Sequence, residues 1–165
     1  MKSLLVAAAL AAGAGAALEV TPARTEAAGY AITHWLLVLN LARNCEPYAA
    51  AIGRDPMTAL RAWRQRNAER VNAAEAYFVF ARAAVEKRGG AAAGEDFQAQ
   101  THGLFVEQAN TTLNEIFGAA GPQPAVCRRW VEAIAEGGSD LNWQSKYMPL
   151  LDELVEFERS LRPGR

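Results

Sequence analysis

The sequence predicts an all-α protein of about five helices, packed as a disulfide-stapled bundle around a long central helix at about residues 55–88. Three observations support this fold class. Apolar residues recur at spacings of three and four along several segments, which is the period of an amphipathic helix. Proline and glycine mark the ends of these segments, and no stretch shows convincing β-strand character. Two cysteines far apart in the chain supply the predicted disulfide bond.

The central helix is predicted from its end signals and from one apolar stripe. Asp55 is a favourable N-cap, and Pro56 suits the first helical position because its missing N–H is not required there. The glycine pair at 89–90 supplies the stop. Residues 77–80 would make the helix apolar on every side, so we expect other helices to enclose them. The alternative is an exposed patch that binds a partner or forms a dimer. The stripe consists of Leu60, Trp63, Asn67, Val71, Ala74, Phe78, Ala81 and Val85.

The other helices are predicted on both sides of this one, within a single domain at residues 29–162. We expect a flexible mature N-terminus at residues 17–28, because these residues are small and polar and Gly29 weakens a helix. An apolar stripe then leads to Cys45. Residues 89–96 read as a link of small residues, and the next helix is expected from about Asp96 to Phe117. The last two helices are predicted at about 124–136 and 149–161.

Residues 1–16 have the features of a secretory signal peptide. Lys2 gives a basic start, residues 4–12 are apolar, and Ala14, Gly15 and Ala16 suit a signal peptidase. The apolar stretch is too short for a transmembrane anchor, which needs about 20 residues. Because the Ala- and Arg-rich composition and the style of the signal indicate a bacterial protein, we expect export to the periplasm or secretion.

The two cysteines are predicted to form one disulfide bond. Export places Cys45 and Cys127 in an oxidising compartment, and no third cysteine competes with them. A metal-binding pair or two free thiols are the alternatives. The chain has no Cys-x-x-Cys motif, which argues against thioredoxin-like chemistry and against covalently attached haem.

Charge and motifs argue against several function classes. The formal net charge is −1, so no strong field would attract nucleic acid. His34 and His102 stand alone on different predicted helices and belong to no metal-ligand motif. Nucleophile and phosphate-binding motifs are missing as well. We therefore expect a protein that is not an enzyme and that uses no metal or other cofactor.

Two sets of polar residues are candidate binding sites. The first is the segment 139–148, where Trp143, Lys146 and Tyr147 offer a mixture suited to molecular recognition. Its aromatic residues could instead fold back over the end of the bundle. The second comprises Arg61, Arg64 and Asn67, which would line a polar pocket or form a basic face for an acidic partner. A satisfied core asparagine and a solvated surface are the alternatives.

These observations predict an exported, non-enzymatic helical protein that binds another protein, as an inhibitor, an immunity protein or an adaptor does. The alternative is a carrier of a small ligand or cofactor, with a pocket between helices near Arg64, Asn67 and the aromatic half of the central helix. An enzyme built from scattered polar residues ranks last. The sequence leaves open whether the protein forms a homo-oligomer.

Overall fold

The described part of this protein, residues 19–141 and 145–162 of a computed structural model, is helical and contains no β-strand. Six helices have at least 11 residues, and a 3-10 turn (Glu46–Tyr48) and a short helix connect the first two of them. The predicted all-α, disulfide-stapled bundle is confirmed. The predicted signal peptide at residues 1–16 lies outside the described residues. The helices are α1 (Pro22–Cys45), α2 (Ala49–Ile52), α3 (Pro56–Arg66), α4 (Ala68–Gly89), α5 (Ala91–Phe117), α6 (Pro124–Glu136) and α7 (Met148–Ser160).

The helix at the centre of the bundle is α1, so the prediction that residues 55–88 form the central helix is wrong. Helix α1 packs against α3, α4, α5, α6 and α7. Its small buried residues allow this, because a side chain of one carbon or none lets the neighbouring backbones approach closely. These residues are Ala27, Ala28, Gly29, Ala31 and Ala42.

The segment predicted as one long helix is two helices that meet at Asn67. The backbone of Asn67 (φ −104°, ψ 8°) leaves the helical region there, and the residue ends α3 and precedes α4. The buried Asn67 side chain is bonded to a distant loop, which holds the break in place. The predicted apolar stripe continues across the break, since Trp63 and Val71 on either side are fully buried.

The first helix begins earlier than predicted. Thr21 caps it, with its hydroxyl accepting a hydrogen bond from the Arg24 N–H at 3.3 Å, and Pro22 takes the first position. The Thr25 hydroxyl and the Tyr77 hydroxyl are 2.8 Å apart, which ties this turn to α4. Residues 22–28 are therefore helical in the structure, in contrast to the flexible segment that we predicted. Glycine at position 29 does not interrupt the helix because packing of the surrounding helices compensates for its low propensity.

The predicted disulfide bond joins the last residue of α1 to the first turn of α6. The Cα atoms of Cys45 and Cys127 are 5.3 Å apart, and both residues are fully buried. The bond closes a loop with a sequence separation of 82 residues, for which the chain-entropy model gives about 4–5 kcal/mol of stabilisation. No helix in the described ranges combines the length and the apolar character needed to span a bilayer.

Candidate ligand-binding site

Helices α4 and α5 form an antiparallel hairpin that turns at Gly90. The positive φ of Gly90 (84°) is a conformation that glycine adopts without strain. Near the turn, Gly94 lets the two helices approach, since a Cβ added there would lie 3.1 Å from the Cβ of Glu86 and 3.6 Å from the Cγ of Arg82. Small residues at 91–94 therefore begin α5 immediately after the turn, where the sequence had predicted a longer link.

Three phenylalanines line the hairpin further from the turn. The ring of Phe78 on α4 lies 5.0 Å from that of Phe105 and 6.5 Å from that of Phe97, between ring centres. Phe105 also contacts α1, because Gly29 leaves room there: a Cβ on Gly29 would lie 3.0 Å from the Phe105 ring. All three rings are only half-buried. An aromatic wall thus remains partly open to solvent.

A cavity of about 290 Å³ lies against this wall. Helices α4 and α5 supply its sides, and α1 contributes one residue. Val79 stands at its edge and is 71% exposed, which is unusual for a large apolar side chain in this protein. The lining is therefore mainly apolar with a few polar groups, a composition typical of small-molecule sites. It consists of Ile32, Glu75, Phe78, Val79, Arg82, Phe97, Gln98, Thr101, His102 and Phe105.

Arg82 is the positively charged group of this cavity. Its Nε is shielded from solvent and has no hydrogen-bond partner among the described residues. Within the same part of the chain, Arg82 forms no ion pair. Glu75 is the other ionisable residue that α4 contributes to the lining, and its Oε1 lies 3.6 Å from Nη2 of Arg64. Arg82 therefore keeps an unused donor and an uncompensated charge.

The predicted polar pocket around Asn67 is instead a saturated hydrogen-bond network. The side-chain N–H groups of Asn67 donate to the Trp63 carbonyl at 2.9 Å and to Asp140 at 3.0 Å. Its side-chain oxygen accepts from the Leu141 N–H at 3.0 Å. Arg66 binds the same Asp140 carboxylate through two nitrogens, at 2.8 and 3.0 Å. Asn67 is thus the satisfied core asparagine of our alternative.

A histidine and a tryptophan extend this network. The carbonyl of Ser139 accepts from Trp63 Nε1 at 2.8 Å and lies 2.7 Å from His34 Nε2, which must carry the proton to donate to it. Burial lowers the pKa of His34 below its ordinary value, while the Ser139 carbonyl and the Asp140 carboxylate partly oppose this shift. Sequence reasoning did not find this network, because the loop at 139–141 is more than 70 residues from its partners.

The predicted basic face has little unpaired positive charge. Arg61 is exposed and bonds to Thr58 and Asp55 on the first turn of its own helix. The guanidinium of Arg64 lies 5.2 Å above the Trp35 ring and also donates to Asn72 at 2.7 Å. Each arginine between residues 54 and 70 has a carboxylate oxygen within 3.6 Å: Arg54–Glu136, Arg61–Asp55, Arg64–Glu75, Arg66–Asp140 and Arg70–Asp152.

The predicted binding loop is described only in part. Trp143 lies outside the described residues. The Tyr147 ring is half-buried and packs against Tyr30 at 5.0 Å, so this aromatic residue covers the bundle as our alternative supposed. Lys146 is exposed, with its Nζ 4.7 Å from the Tyr147 ring centre. Binding of another protein through this loop stays a prediction.

A larger depression of about 880 Å³ lies between α1 and α5, on the other side of Phe105. Val20 and Tyr147 line it, and both are close in sequence to residues that the structure does not describe. Within the described ranges, no group of three or more histidine, cysteine, aspartate or glutamate residues could hold a metal ion. Comparison with protein-family models, with curated proteins and with solved structures found no match.

Proposed function

We propose that this protein binds a small, mainly apolar molecule in the cavity between α4 and α5. The observation that carries the proposal is the partly open aromatic wall of Phe78, Phe97 and Phe105 along a cavity of about 290 Å³. A concave site with a mainly apolar lining and a few polar groups is typical of proteins that bind small molecules.

The size of the cavity limits the ligand. Small-molecule sites commonly enclose about 300–1,000 Å³, so this cavity is near the lower end of that range. Its long direction follows α4 from Glu75 to Arg82, which at a rise of about 1.5 Å per residue is about 10 Å. A chain of about eight carbons, or a small aromatic molecule, fits these dimensions. Such a guest would also cover Val79.

This function is the alternative that the sequence suggested, a carrier of a small ligand, but the cavity lies at a different place from the predicted pocket. The sequence placed the pocket near Arg64 and Asn67, but Asn67 is fully hydrogen-bonded. Arg64 is held by Asn72, Glu75 and the Trp35 ring, although its Nη1 has no partner among the described residues, and it does not line this cavity. The aromatic half of the predicted central helix does contribute, since Phe78 belongs to it. Together with the predicted export, we infer a carrier or sensor of small apolar compounds outside the cytoplasm.

A titration with 1-octanol, followed by amide resonances of the ¹⁵N-labelled protein, tests this function. We expect saturable shifts for residues of α4 and α5 around the cavity. Thr101→Phe should fill the cavity and abolish these shifts, because Thr101 lines it. Thr111→Phe is the matched control on the same helix, since Thr111 is exposed and lies outside the lining. Shifts that do not saturate, or that persist unchanged in Thr101→Phe, would contradict the proposal.

A further inference from the structure

We further propose that the ligand is an amphipathic anion, with a carboxylate or phosphate head group bound by Arg82 and a short apolar chain against the phenylalanine wall. This inference rests on the proposed function and names the chemical class of its ligand. It depends on three features of the cavity: an unused donor, an uncompensated charge, and a polarity that changes along its length.

The unused donor is the Arg82 Nε–H. A buried N–H without an acceptor is unfavourable, and the cost is greater for a charged group. The Nε of Arg82 is shielded from solvent and has no protein acceptor among the described residues. Because solvent does not reach this atom, an anion could accept from it only after the guanidinium turns toward the cavity. The two terminal nitrogens of Arg82 are not shielded and have no protein acceptor in the same part of the chain, so they are open to an anion already. The guanidinium also presents its N–H groups as a planar fork that matches carboxylate and phosphate oxygens.

The charge of Arg82 has no ion-pair partner within 4 Å among the described residues, as is also true of Arg43, Arg88, Arg128 and Arg129. Arg82 differs from those four because it also has a nitrogen that is shielded from solvent without a partner, and because it lines the cavity. The carboxylate of Glu86, one turn further along α4, lies near the Arg82 side chain, since both approach the same Cβ position on Gly94, but it does not line the cavity. An anion in the cavity would therefore meet a cation that no carboxylate contacts directly.

Polarity changes from one end of the cavity to the other. Arg82 lies at the end near the hairpin turn, where Gly94 lets α5 close over its aliphatic part. Glu75 lies two turns away at the opposite end, beside Arg64. A negative head group is thus favoured at the Arg82 end and disfavoured near Glu75. The phenylalanine rings between these ends would contact the apolar chain of the ligand.

The remaining polar lining residues do not compete for this role. The Thr101 hydroxyl already donates to the Phe97 carbonyl at 2.5 Å. Gln98 and His102 are exposed at the rim, where water satisfies them. Arg82 is consequently the group that decides the sign of the ligand's charge.

The test compares four probes with the same eight-carbon chain: octanoate, octyl phosphate, 1-octanol and octylamine. Dissociation constants are measured by isothermal titration at low ionic strength for the full-length protein. We expect octanoate or octyl phosphate to bind at least about 10-fold more tightly than 1-octanol, because hydrogen bonds to a charged group are the stronger class. The tighter of the two anions identifies the head group. Octylamine should bind more weakly than either.

Variants then assign the effect to one side chain. Arg82→Gln should weaken binding of the preferred anion about 10- to 100-fold and affect the binding of 1-octanol much less. Arg88→Gln is the matched control, since Arg88 lies on the same helix, is exposed and is outside the cavity. Arg82→Lys keeps the charge but loses the planar fork, so its affinity for the anion should be intermediate.

The outcomes separate this inference from the proposed function. If no probe binds, the proposed function fails and this inference fails with it. If 1-octanol binds as tightly as the anions, or if Arg88→Gln weakens anion binding as much as Arg82→Gln does, only the charge assignment is overturned. The Arg82 Nε–H resonance of the unmutated protein gives an independent check. It should shift with the anions and not with 1-octanol, and an unchanged resonance would overturn the assignment.

Discussion

Two polar side chains, the buried Asn67 and the half-buried Arg82 with its shielded Nε, have opposite surroundings. Asn67 sits at the break between α3 and α4, where each of its hydrogen-bonding groups has a protein partner. Arg82 sits at the edge of a cavity, with an Nε that has no partner within the described residues. All hydrogen-bonding groups of the first side chain are satisfied within the fold, whereas the second has nitrogens without a protein partner in the described part of the chain.

This contrast separates a polar group that the fold uses from one that remains for the proposed ligand. The Asn67 network joins a helix break to the loop at 139–141, and its loss would leave several donors and acceptors unpaired at once. Arg82 has no such partners, so its substitution should affect ligand binding more than folding. Three substitution experiments test this comparison.

The largest effect is expected for Asn67→Ala. This change removes three hydrogen bonds and leaves the buried Leu141 N–H without an acceptor, so the free energy of unfolding should fall by about 2–3 kcal/mol. Urea denaturation measures the change. Asn114→Ala, at an exposed position on α5, is the control and should stay within about 0.5 kcal/mol. A loss below about 1 kcal/mol for Asn67→Ala would mean that the network contributes little to stability.

A smaller effect is expected for a pair of glycine substitutions on α5. Gly103→Ala has open space around the new Cβ and should stabilise the protein by about 0.5–1 kcal/mol through helix propensity. Gly94→Ala places its Cβ 3.1 Å from that of Glu86 and should not stabilise, because the hairpin must open slightly. Thermal unfolding compares the two variants. An equal gain for both would show that close approach of α4 and α5 is not required.

The smallest effect concerns pH and His34. Burial lowers the pKa of His34 in the folded protein below the value of about 6.5 expected in the unfolded chain. The unfolded state therefore binds the proton first, and stability should fall as the pH drops below about 6.5 toward the lowered pKa. Denaturation at a series of pH values should show a weaker decline for His34→Gln. The exposed His102 serves as the control, and an equal change in His102→Gln would contradict this assignment.

Part of this architecture could be predicted from the sequence because it depends on local patterns. The stripe from Leu60 to Val85 follows from helical spacing, and the disulfide bond follows from two cysteines and a predicted export signal. The break at Asn67 could not be predicted, since it is fixed by Asp140 and Leu141, more than 70 residues away. The central position of α1 could not be predicted either, because a run of alanines and one glycine gives no strong apolar signal.

The cavity could not be predicted from the sequence, because it forms where α1, α4 and α5 leave a space between them. One signal pointed toward it. Arg82 follows the apolar run at 77–80 by two residues, which places a cation beside an aromatic face. Without knowledge of how closely α5 approaches at Gly94, that placement does not distinguish a solvated arginine from a shielded one.

The covalent bond between Cys45 and Cys127 also determines how the protein would respond to mechanical force. Tension applied to the two chain ends passes from α1 directly to α6 through the sulfur atoms, and the intervening helices α2–α5 carry none of it. The hairpin of α4 and α5 would therefore stay outside the line of force, whereas α1, which contributes Ile32 to the cavity, would carry it. In the reduced protein, the same pull would reach the hairpin and separate its two helices.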